Sequence, residues 1–197
     1  LKWRAEQGEK VREHNRDEVI TNEALGFQRG RDCWKPLLAA VHGYAVGGGL
    51  ELVLGCDIVL AADNAQFGLP EVRRGLMADG AGIHRLVRRV PYSVAMGMVL
   101  TGQFIGAEEA HRVGLVNEVT SGEELRAATE RWVAQIMECA PLSLRASKEA
   151  ALRGLELPLW EAVGQSFPMA EKLYASEDFI AGPEAFAEKR KPEWKGQ

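Results

Sequence analysis

The chain has 197 residues, which corresponds to one domain or to one domain with a small addition. Asp and Glu outnumber Lys and Arg by 28 to 24, and the formal charge of −4 argues against a protein that binds nucleic acid through a general excess of positive charge. Hydrophobic residues make up 46% of the chain and charged residues 26%, a balance that excludes a disordered protein.

Neither a membrane segment nor a secretory signal is expected. Residues 37–62 are long enough to cross a membrane, but they contain His42, Glu51, Asp57 and a run of three glycines, which predicts a buried core segment instead. The first twenty residues carry charges of both signs and no apolar stretch of the kind found in signal peptides. The cysteines Cys33, Cys56 and Cys139 are widely spaced and form no CxxC pair, so we expect a cytoplasmic location.

Up to about residue 120 the pattern of apolar residues alternates between helix and strand. Glycines and prolines mark the boundaries between these segments. The predicted elements, in chain order, are a helix over about 4–34, a strand over 37–43, a glycine loop followed by a helix from about 50, a strand over 57–63, an extended segment over 66–71, helices over 82–90, 91–101 and 106–114, and a strand over 115–119.

The last third of the chain is helical in character. Ser121 and Glu124 have the spacing of a capping box, which predicts the start of a helix. Pro141, Pro158 and Pro183 separate three further helical pieces, and the polar end KRKPEWKGQ is expected to be peripheral. The sequence thus predicts an α/β region and a helical region. Their ranges are 1–120 and 121–197.

Three consecutive glycines, Gly47, Gly48 and Gly49, precede the helix at residue 50. Glycines at this place let the backbone approach a ligand and direct free N–H groups toward it, and the helix dipole favours an oxyanion or a phosphate there. The segment matches neither GxGxxG nor a Walker loop. A tight packing turn in which no side chain fits is the alternative, and the residues alone leave it open.

Three acidic residues are candidates for acid and base roles. Glu51 lies three residues after Gly48, so a carboxylate and a free N–H would face one cleft. Glu71 follows a proline directly, and Asp79 lies in a second glycine-rich segment eight residues later. Neighbouring carboxylates shift each other's pKa values apart, which suits a division into acid and base. Solvent-exposed surface acids, with Asp79 as a turn or helix cap, are the alternative.

Other kinds of site have little support in the sequence. The histidines lack HExxH spacing and the cysteines lack a zinc pattern, so no metal site is predicted. GxSxG, the main motif of serine hydrolases, does not occur. A group of arginines favours a solvated face or ion pairs over a phosphate ligand or an acidic partner. Its members are Arg73, Arg74, Arg85, Arg88 and Arg89.

Taken together, KPLLAAVHGYAVGGGLELVLGCDIVLAADNAQFGLPEVRRGL, LTGQFIGAEEAHRVGLVNEV and FAEKRKPEWKG closely resemble the enoyl-CoA hydratase/isomerase (crotonase) superfamily. The resemblance covers nearly the whole chain. It implies an α/β fold, a spiral of ββα turns followed by a C-terminal helical trimerisation region. It also implies acyl-CoA thioester substrates, assembly as a homotrimer or homohexamer, and no cofactor beyond the coenzyme A of the substrate. No nucleic acid and no membrane is expected as a partner.

The resemblance also implies roles for individual residues. Gly48 would donate one backbone N–H to the oxyanion hole, and Glu51 and Glu71 match the two catalytic glutamates of the family. The family's other oxyanion donor lies just before the position that matches the start of this chain, so we expect the N-terminal turns of the spiral to be missing from it. The implied substrate-binding residues are Gly47, Gly48, Leu1 and Lys2.

The reaction implied first is syn addition of water to a trans-2-enoyl-CoA, which gives a 3-hydroxyacyl-CoA. A carnitinyl-CoA dehydratase-like lyase is an alternative, because the segment SEDFIAGPEAFAEKRKPEWKG resembles the end of those enzymes. A dienoyl- or enoyl-CoA isomerase that uses Glu71 and Asp79 is another, because ADGAG stands where many hydratases resemble PGAGG. From a different class, a non-catalytic acyl-CoA-binding protein is also considered.

Overall fold

The computed structural model describes residues 33–197; residues 1–32, and with them Leu1, Lys2 and nearly all of the helix predicted over 4–34, lie outside this part. Cys33 and Trp34, at the end of that predicted helix, are not helical. Six short strands in the described part form two three-stranded sheets, ordered β1-β3-β6 and β2-β4-β5. They are β1 (Leu38–Val41), β2 (Tyr44–Val46), β3 (Ile58–Ala62), β4 (Gln66–Gly68), β5 (Phe104–Gly106) and β6 (Glu118–Thr120).

The strands repeat in ββα turns. β1 and β3 pair in parallel, with Leu38 opposite Ile58, and β2 and β4 pair in parallel in the other sheet. The chain therefore passes from one sheet to the other at two corners, one between β1 and β2 and one between β3 and β4. The two corners contact each other, because Gln66 N–H donates to Gly43 O at 2.8 Å and Gly43 N–H donates to Asn64 Oδ1 at 3.3 Å. The repeat confirms the expected architecture for this part of the chain.

Nine α-helices and a 3-10 helix follow or separate these strands in the described part. The 3-10 helix spans Pro70–Arg74. The α-helices are α1 (Gly48–Leu54), α2 (Gly82–Arg89), α3 (Tyr92–Thr101), α4 (Ala107–Arg112), α5 (Leu125–Met137), α6 (Pro141–Gly154), α7 (Leu159–Gly164), α8 (Pro168–Tyr174) and α9 (Asp178–Ala187).

The main core lies between the sheets and helices α1 to α4. Leu50 of α1, Phe67 of β4 and Leu86 of α2 are completely buried in it. Apolar side chains from both sheets and from these helices meet there, so burial of this cluster fixes α1 and α2 against the strands.

The helical region packs on the outside of the first sheet. Leu125 and Ala128 of α5 form a second apolar cluster with Leu60 and Ala62 of β3. The predicted capping box is only half formed: Ser121 Oγ accepts from Glu124 N–H at 3.3 Å, but Glu124 Oε2 accepts the Ser121 hydroxyl at 2.9 Å instead of the backbone N–H, and α5 begins at Leu125.

Several short elements differ from the prediction. β2 and β5 were not predicted, because strands of three residues are too short to show an alternating pattern. The strand expected over 115–119 pairs only from Glu118 to Thr120, because the residues before it form the turn that follows α4. Asn117 fixes this turn: its N–H donates to Val59 O and its Oδ1 accepts from Val59 N–H. Pro183 lies inside α9 rather than between helices, at the loss of one backbone hydrogen bond.

The polar end lies at the surface, as expected, but hydrogen bonds tie it to the rest of the fold. Asp178, only 4% exposed, accepts hydrogen bonds from the N–H groups of Lys195 at 2.8 Å and Gly196 at 2.9 Å. Trp194 donates from Nε1 to the carbonyl oxygen of Glu138 at 2.9 Å. The end of the chain is therefore tied both to the first residue of α9 and to the end of α5.

We expect Asp178→Ala to release residues 194–196 and to lower the free energy of unfolding by about 1–3 kcal/mol, because a buried carboxylate with two backbone donors is lost. Urea unfolding and hydrogen exchange of these residues measure the effect. Glu184→Ala, an exposed change in the same helix, is the control. Equal unfolding free energies for the two variants would contradict the proposed anchoring.

Candidate active site

The glycine run joins α1 to the second sheet. Gly47 has a φ of +58°, which favours glycine, and its N–H donates to Gly68 O of β4 at 2.9 Å. A Cβ atom on Gly47 would lie 2.7 Å from Glu71 Oε1. Gly48 is the first residue of α1, so its N–H has no acceptor within the helix. The packing-turn interpretation and the site interpretation thus coincide, because the space that excludes a side chain at Gly47 holds the carboxylate of Glu71.

Glu51 is a buried carboxylate, only 8% exposed. Its Oε1 accepts the N–H of Gly82, the first residue of α2, at 3.0 Å. Cβ atoms would lie 2.5 Å from Glu51 Oε2 if placed on Gly80 and 2.9 Å from Oε1 if placed on Gly82. These glycines leave room for the carboxylate, and the interpretation of Glu51 as a solvent-exposed first-turn acid is wrong.

The backbone beside Glu51 is strained. Ala81, between the two glycines that face the carboxylate, has a φ of +80°, a conformation that residues with a Cβ atom rarely adopt. The bond from Gly82 N–H to Glu51 holds the chain in this arrangement. Strain of this kind concentrates at functional sites, where neighbouring structure enforces it.

Burial raises the pKa of the Glu51 carboxyl above its ordinary value of 4.5, because the charged form loses contact with water. The backbone N–H groups of Gly82 and Gly80 oppose this shift, whereas the negative charges of Glu71 and Asp79 add to it. The three acids predicted from the sequence therefore act on one another electrostatically. The pKa of Glu51 is therefore closer to neutral pH than that of an ordinary glutamate, which suits proton transfer.

Glu71 lies in the first turn of the 3-10 helix, directly after Pro70, whose ring fixes the approach to it. Its Oε1 faces Gly47, as described, and its Oε2 is buried without a hydrogen-bond partner among residues 33–197. A buried carboxylate oxygen normally accepts at least one hydrogen bond. A water molecule or a substrate group at this oxygen would supply it.

Asp79 lies in the turn before α2, and its side chain is exposed, unlike that of Glu51. It is close enough to raise the pKa of Glu51, but it takes no part in the contacts between α1 and α2. The structure therefore brings Gly47, Gly48, Glu51 and Glu71 together and places Asp79 at the margin.

The arginine group mainly bonds backbone carbonyls. Arg73 donates to Thr101 O at 2.6 Å and Arg88 to His84 O at 2.8 Å. Arg89 reaches across to the end of α1. Burial lowers the pKa of the Arg85 guanidinium, and the charge of Arg89 adds to this effect. Neither an ion pair nor a fully solvated face describes the group.

The contacts of Gly80, Gly82 and Arg89 were not predicted, although Arg89 is one of the five arginines grouped above. The glycines had a visible signal in the segment ADGAG, which was interpreted only as the entry to a helix. Arg89 had none, because the carbonyls that it bonds are more than thirty residues away in the sequence.

Residues 33–197 contain neither a membrane-spanning helix nor a group of side chains that could hold a metal ion. None of their helices is both long and apolar enough to cross a membrane. Among residues 33–197 no group of three or more His, Cys, Asp or Glu side chains is placed to hold a metal ion.

We expect Glu51→Gln to stabilise the fold relative to the wild type by an amount that grows as the pH rises from 4.5 to the raised pKa of the folded state and is constant above it. The raised pKa means that the folded state holds a proton on Glu51 more tightly than the unfolded chain does, so the wild type loses stability as the pH rises through that pKa. The amide has no proton to lose. Urea unfolding at several pH values gives the difference between variant and wild type, and a difference that is constant with pH would contradict the raised pKa of Glu51.

Comparison with known proteins identifies the family of the chain. The family described as Enoyl-CoA hydratase/isomerase matches residues 5–197. The chain is 44% identical over 163 residues to the (E)-benzylidenesuccinyl-CoA hydratase of Thauera aromatica and 45% identical over 167 residues to the carnitinyl-CoA dehydratase of Escherichia coli. Each alignment covers 83% of this chain and 64% of the relative, so the chain spans less than two thirds of the length of these curated relatives.

A solved structure shares the fold. The enoyl-CoA hydratase of Mycobacterium marinum superposes with a TM-score of 0.84 at 39% identity, over 91% of this chain and 71% of that one. The expected crotonase fold is confirmed. With a family match over nearly its whole length and relatives above 40% identity, the chain belongs to the enoyl-CoA hydratase/isomerase (crotonase) family.

Proposed function

We propose that the protein containing this chain hydrates a trans-2-enoyl-CoA thioester to a 3-hydroxyacyl-CoA. The observation that carries the proposal is the placement of two carboxylates against glycines, Glu51 against Gly80 and Gly82, and Glu71 against Gly47 of the glycine run. The charge of Glu71 raises the pKa of Glu51, and α1 begins at Gly48 with an N–H that has no acceptor in the helix. Such a set of groups suits the addition of water across a conjugated double bond. No cofactor is needed in this reaction beyond the coenzyme A of the substrate.

In this reaction the thioester carbonyl accepts a hydrogen bond from Gly48 N–H, which stabilises the enolate that forms when water attacks Cβ. The pair Glu51 and Glu71 orients that water and removes one of its protons, and a proton is delivered to Cα. One proton is taken and one is given, so the carboxylates return to their starting state. The raised pKa of Glu51 supports its exchange of a proton near neutral pH. Gly47, together with Leu1 and Lys2, which lie outside the described residues, is proposed to bind the substrate.

The activities of the relatives support the same chemistry. One hydrates benzylidenesuccinyl-CoA and the other dehydrates carnitinyl-CoA, which are the two directions of one reaction type. An isomerase that uses Glu71 and Asp79 is the second candidate, and the position of Asp79 beside Glu51 is the observation that favours it.

We expect Glu71→Gln to lower kcat for crotonyl-CoA hydration by about 10²- to 10⁴-fold, because the amide cannot exchange a proton. Loss of the absorbance of the conjugated thioester measures the reaction of the full-length protein. Glu108→Gln, exposed on α4, is the matched control and should retain wild-type activity.

The ranking of two further variants separates the candidate reactions. A hydratase should lose more activity in Glu51→Gln than in Asp79→Asn, and an isomerase acting on a dienoyl-CoA should show the reverse order. A folded wild type that binds acyl-CoA and turns over neither substrate nor carnitinyl-CoA would contradict both and indicate a non-catalytic acyl-CoA-binding protein.

We further propose that residues 121–197 form an oligomerisation region and that the protein assembles as a homotrimer or homohexamer. Large apolar side chains of this region are exposed in the single chain, among them Trp160 at 81% and Phe186 at 87%. Exposed apolar surface of this extent is typical of an interface.

A division at residue 120 agrees with the change from sheets to helices alone. The free cysteines support a cytoplasmic location.

We expect light scattering of the full-length protein to give three or six chain masses and Trp160→Glu to reduce that mass, since a charge replaces an apolar contact. Glu161→Gln, an exposed neighbour in the same helix, should leave the assembly intact. A wild-type mass of one chain would refute the assembly.

A further inference from the structure

Helix α1, which carries Glu51, is held at its far end by a side chain of α2. The guanidinium of Arg89 donates from Nη1 to Leu54 O at 3.2 Å and to Cys56 O at 2.6 Å, and from Nη2 to Asp57 O at 3.1 Å. Leu54 is the last residue of α1, and Cys56 and Asp57 follow it. The last carbonyl groups of a helix have no hydrogen-bond donor within the helix. At this end of α1, the side chain of Arg89 is the donor to them.

The same helix α2 holds α1 a second time. Its first residue, Gly82, donates to Glu51, and its last residue, Arg89, donates to the end of α1. Arg89 lies seven positions after Gly82, which corresponds to about 10 Å along the helix axis at a rise of 1.5 Å per residue. Two contacts at that separation fix both the position and the direction of α1 relative to α2, which a single contact cannot do.

We propose that Arg89 is a positioning residue for the reaction, which acts by holding α1 so that Glu51 keeps its bond to Gly82. The inference rests on the proposed hydration and extends it, because it assigns a role to a residue that touches neither substrate nor reacting atoms. The half-buried, planar guanidinium donates to three carbonyls from two of its nitrogens, a set of contacts that the point charge of a lysine does not reproduce.

Arg88 supplies a matched control. It is adjacent on α2, it is exposed, and within residues 33–197 its side chain bonds only His84 O of its own helix. Arg88→Lys and Arg89→Lys are the same chemical change one residue apart, and of the two only Arg89 contacts the end of α1. Arg89→Met, which keeps a long apolar stem and removes all donors, is the second test variant.

The test combines kinetics and hydrogen exchange on the full-length protein. We expect Arg89→Lys to lower kcat for crotonyl-CoA by about tenfold or more, because small displacements of a catalytic group are costly, with KM within about twofold of the wild type. Backbone amides of residues 50–54 should exchange about tenfold faster, while other parts of the core are unchanged. Arg89→Met should show both effects more strongly, and Arg88→Lys neither.

Three results would overturn the proposal. One is wild-type exchange in α1 for both Arg89 variants. Another is a kcat that equals that of Arg88→Lys. The third is exchange that rises throughout the molecule in Arg89→Lys, which would indicate a role in the whole fold alone. Hydrogen exchange requires no turnover, so it still decides whether Arg89 holds α1 in place if the wild type proves unable to hydrate crotonyl-CoA.

Discussion

The burial of one carboxylate, that of Glu51, is the constraint on which the rest of the site depends. A carboxylate removed from water is costly unless hydrogen-bond donors compensate it, and here the main donor is the N–H of Gly82 at the start of α2. The carboxylate and the backbone of α2 can meet this closely only where side chains are missing, hence Gly80 and Gly82. The strained conformation of Ala81 is a consequence of the same contact, since the chain must turn there to present the donor.

The support of α1 extends into the helical region. Asp57, whose carbonyl accepts from Arg89, accepts through its side chain from Leu37 N–H at 2.7 Å and from Lys148 Nζ of α6 at 2.7 Å. The loop after α1 is thus held by α2, by the segment before β1 and by α6. The helical region is therefore a part of the scaffold that determines where Glu51 lies, in addition to any role in assembly.

What the sequence could predict was set by the range of the interactions. The glycine run, Glu51 and Glu71 were found because each lies in a local pattern, and the ββα repeat followed from the resemblance. The three-residue strands β2 and β5 were missed because their pairing partners, not their own residues, make them strands. The anchoring of the chain end by Asp178 and the contacts of Arg89 were missed for the same reason, since both join residues that are distant in sequence.

The unequal burial of the acids matters for the chemistry. Hydration requires that one proton be taken and another be given within a small space, so acid and base roles must be divided. Glu51 is enclosed by backbone, Glu71 is partly covered with one oxygen that has no hydrogen-bond partner among residues 33–197, and Asp79 faces solvent. The fold thus differentiates three chemically similar groups by their distance from water. It is this difference in environment, rather than the number of carboxylates, that allows a division of roles among them.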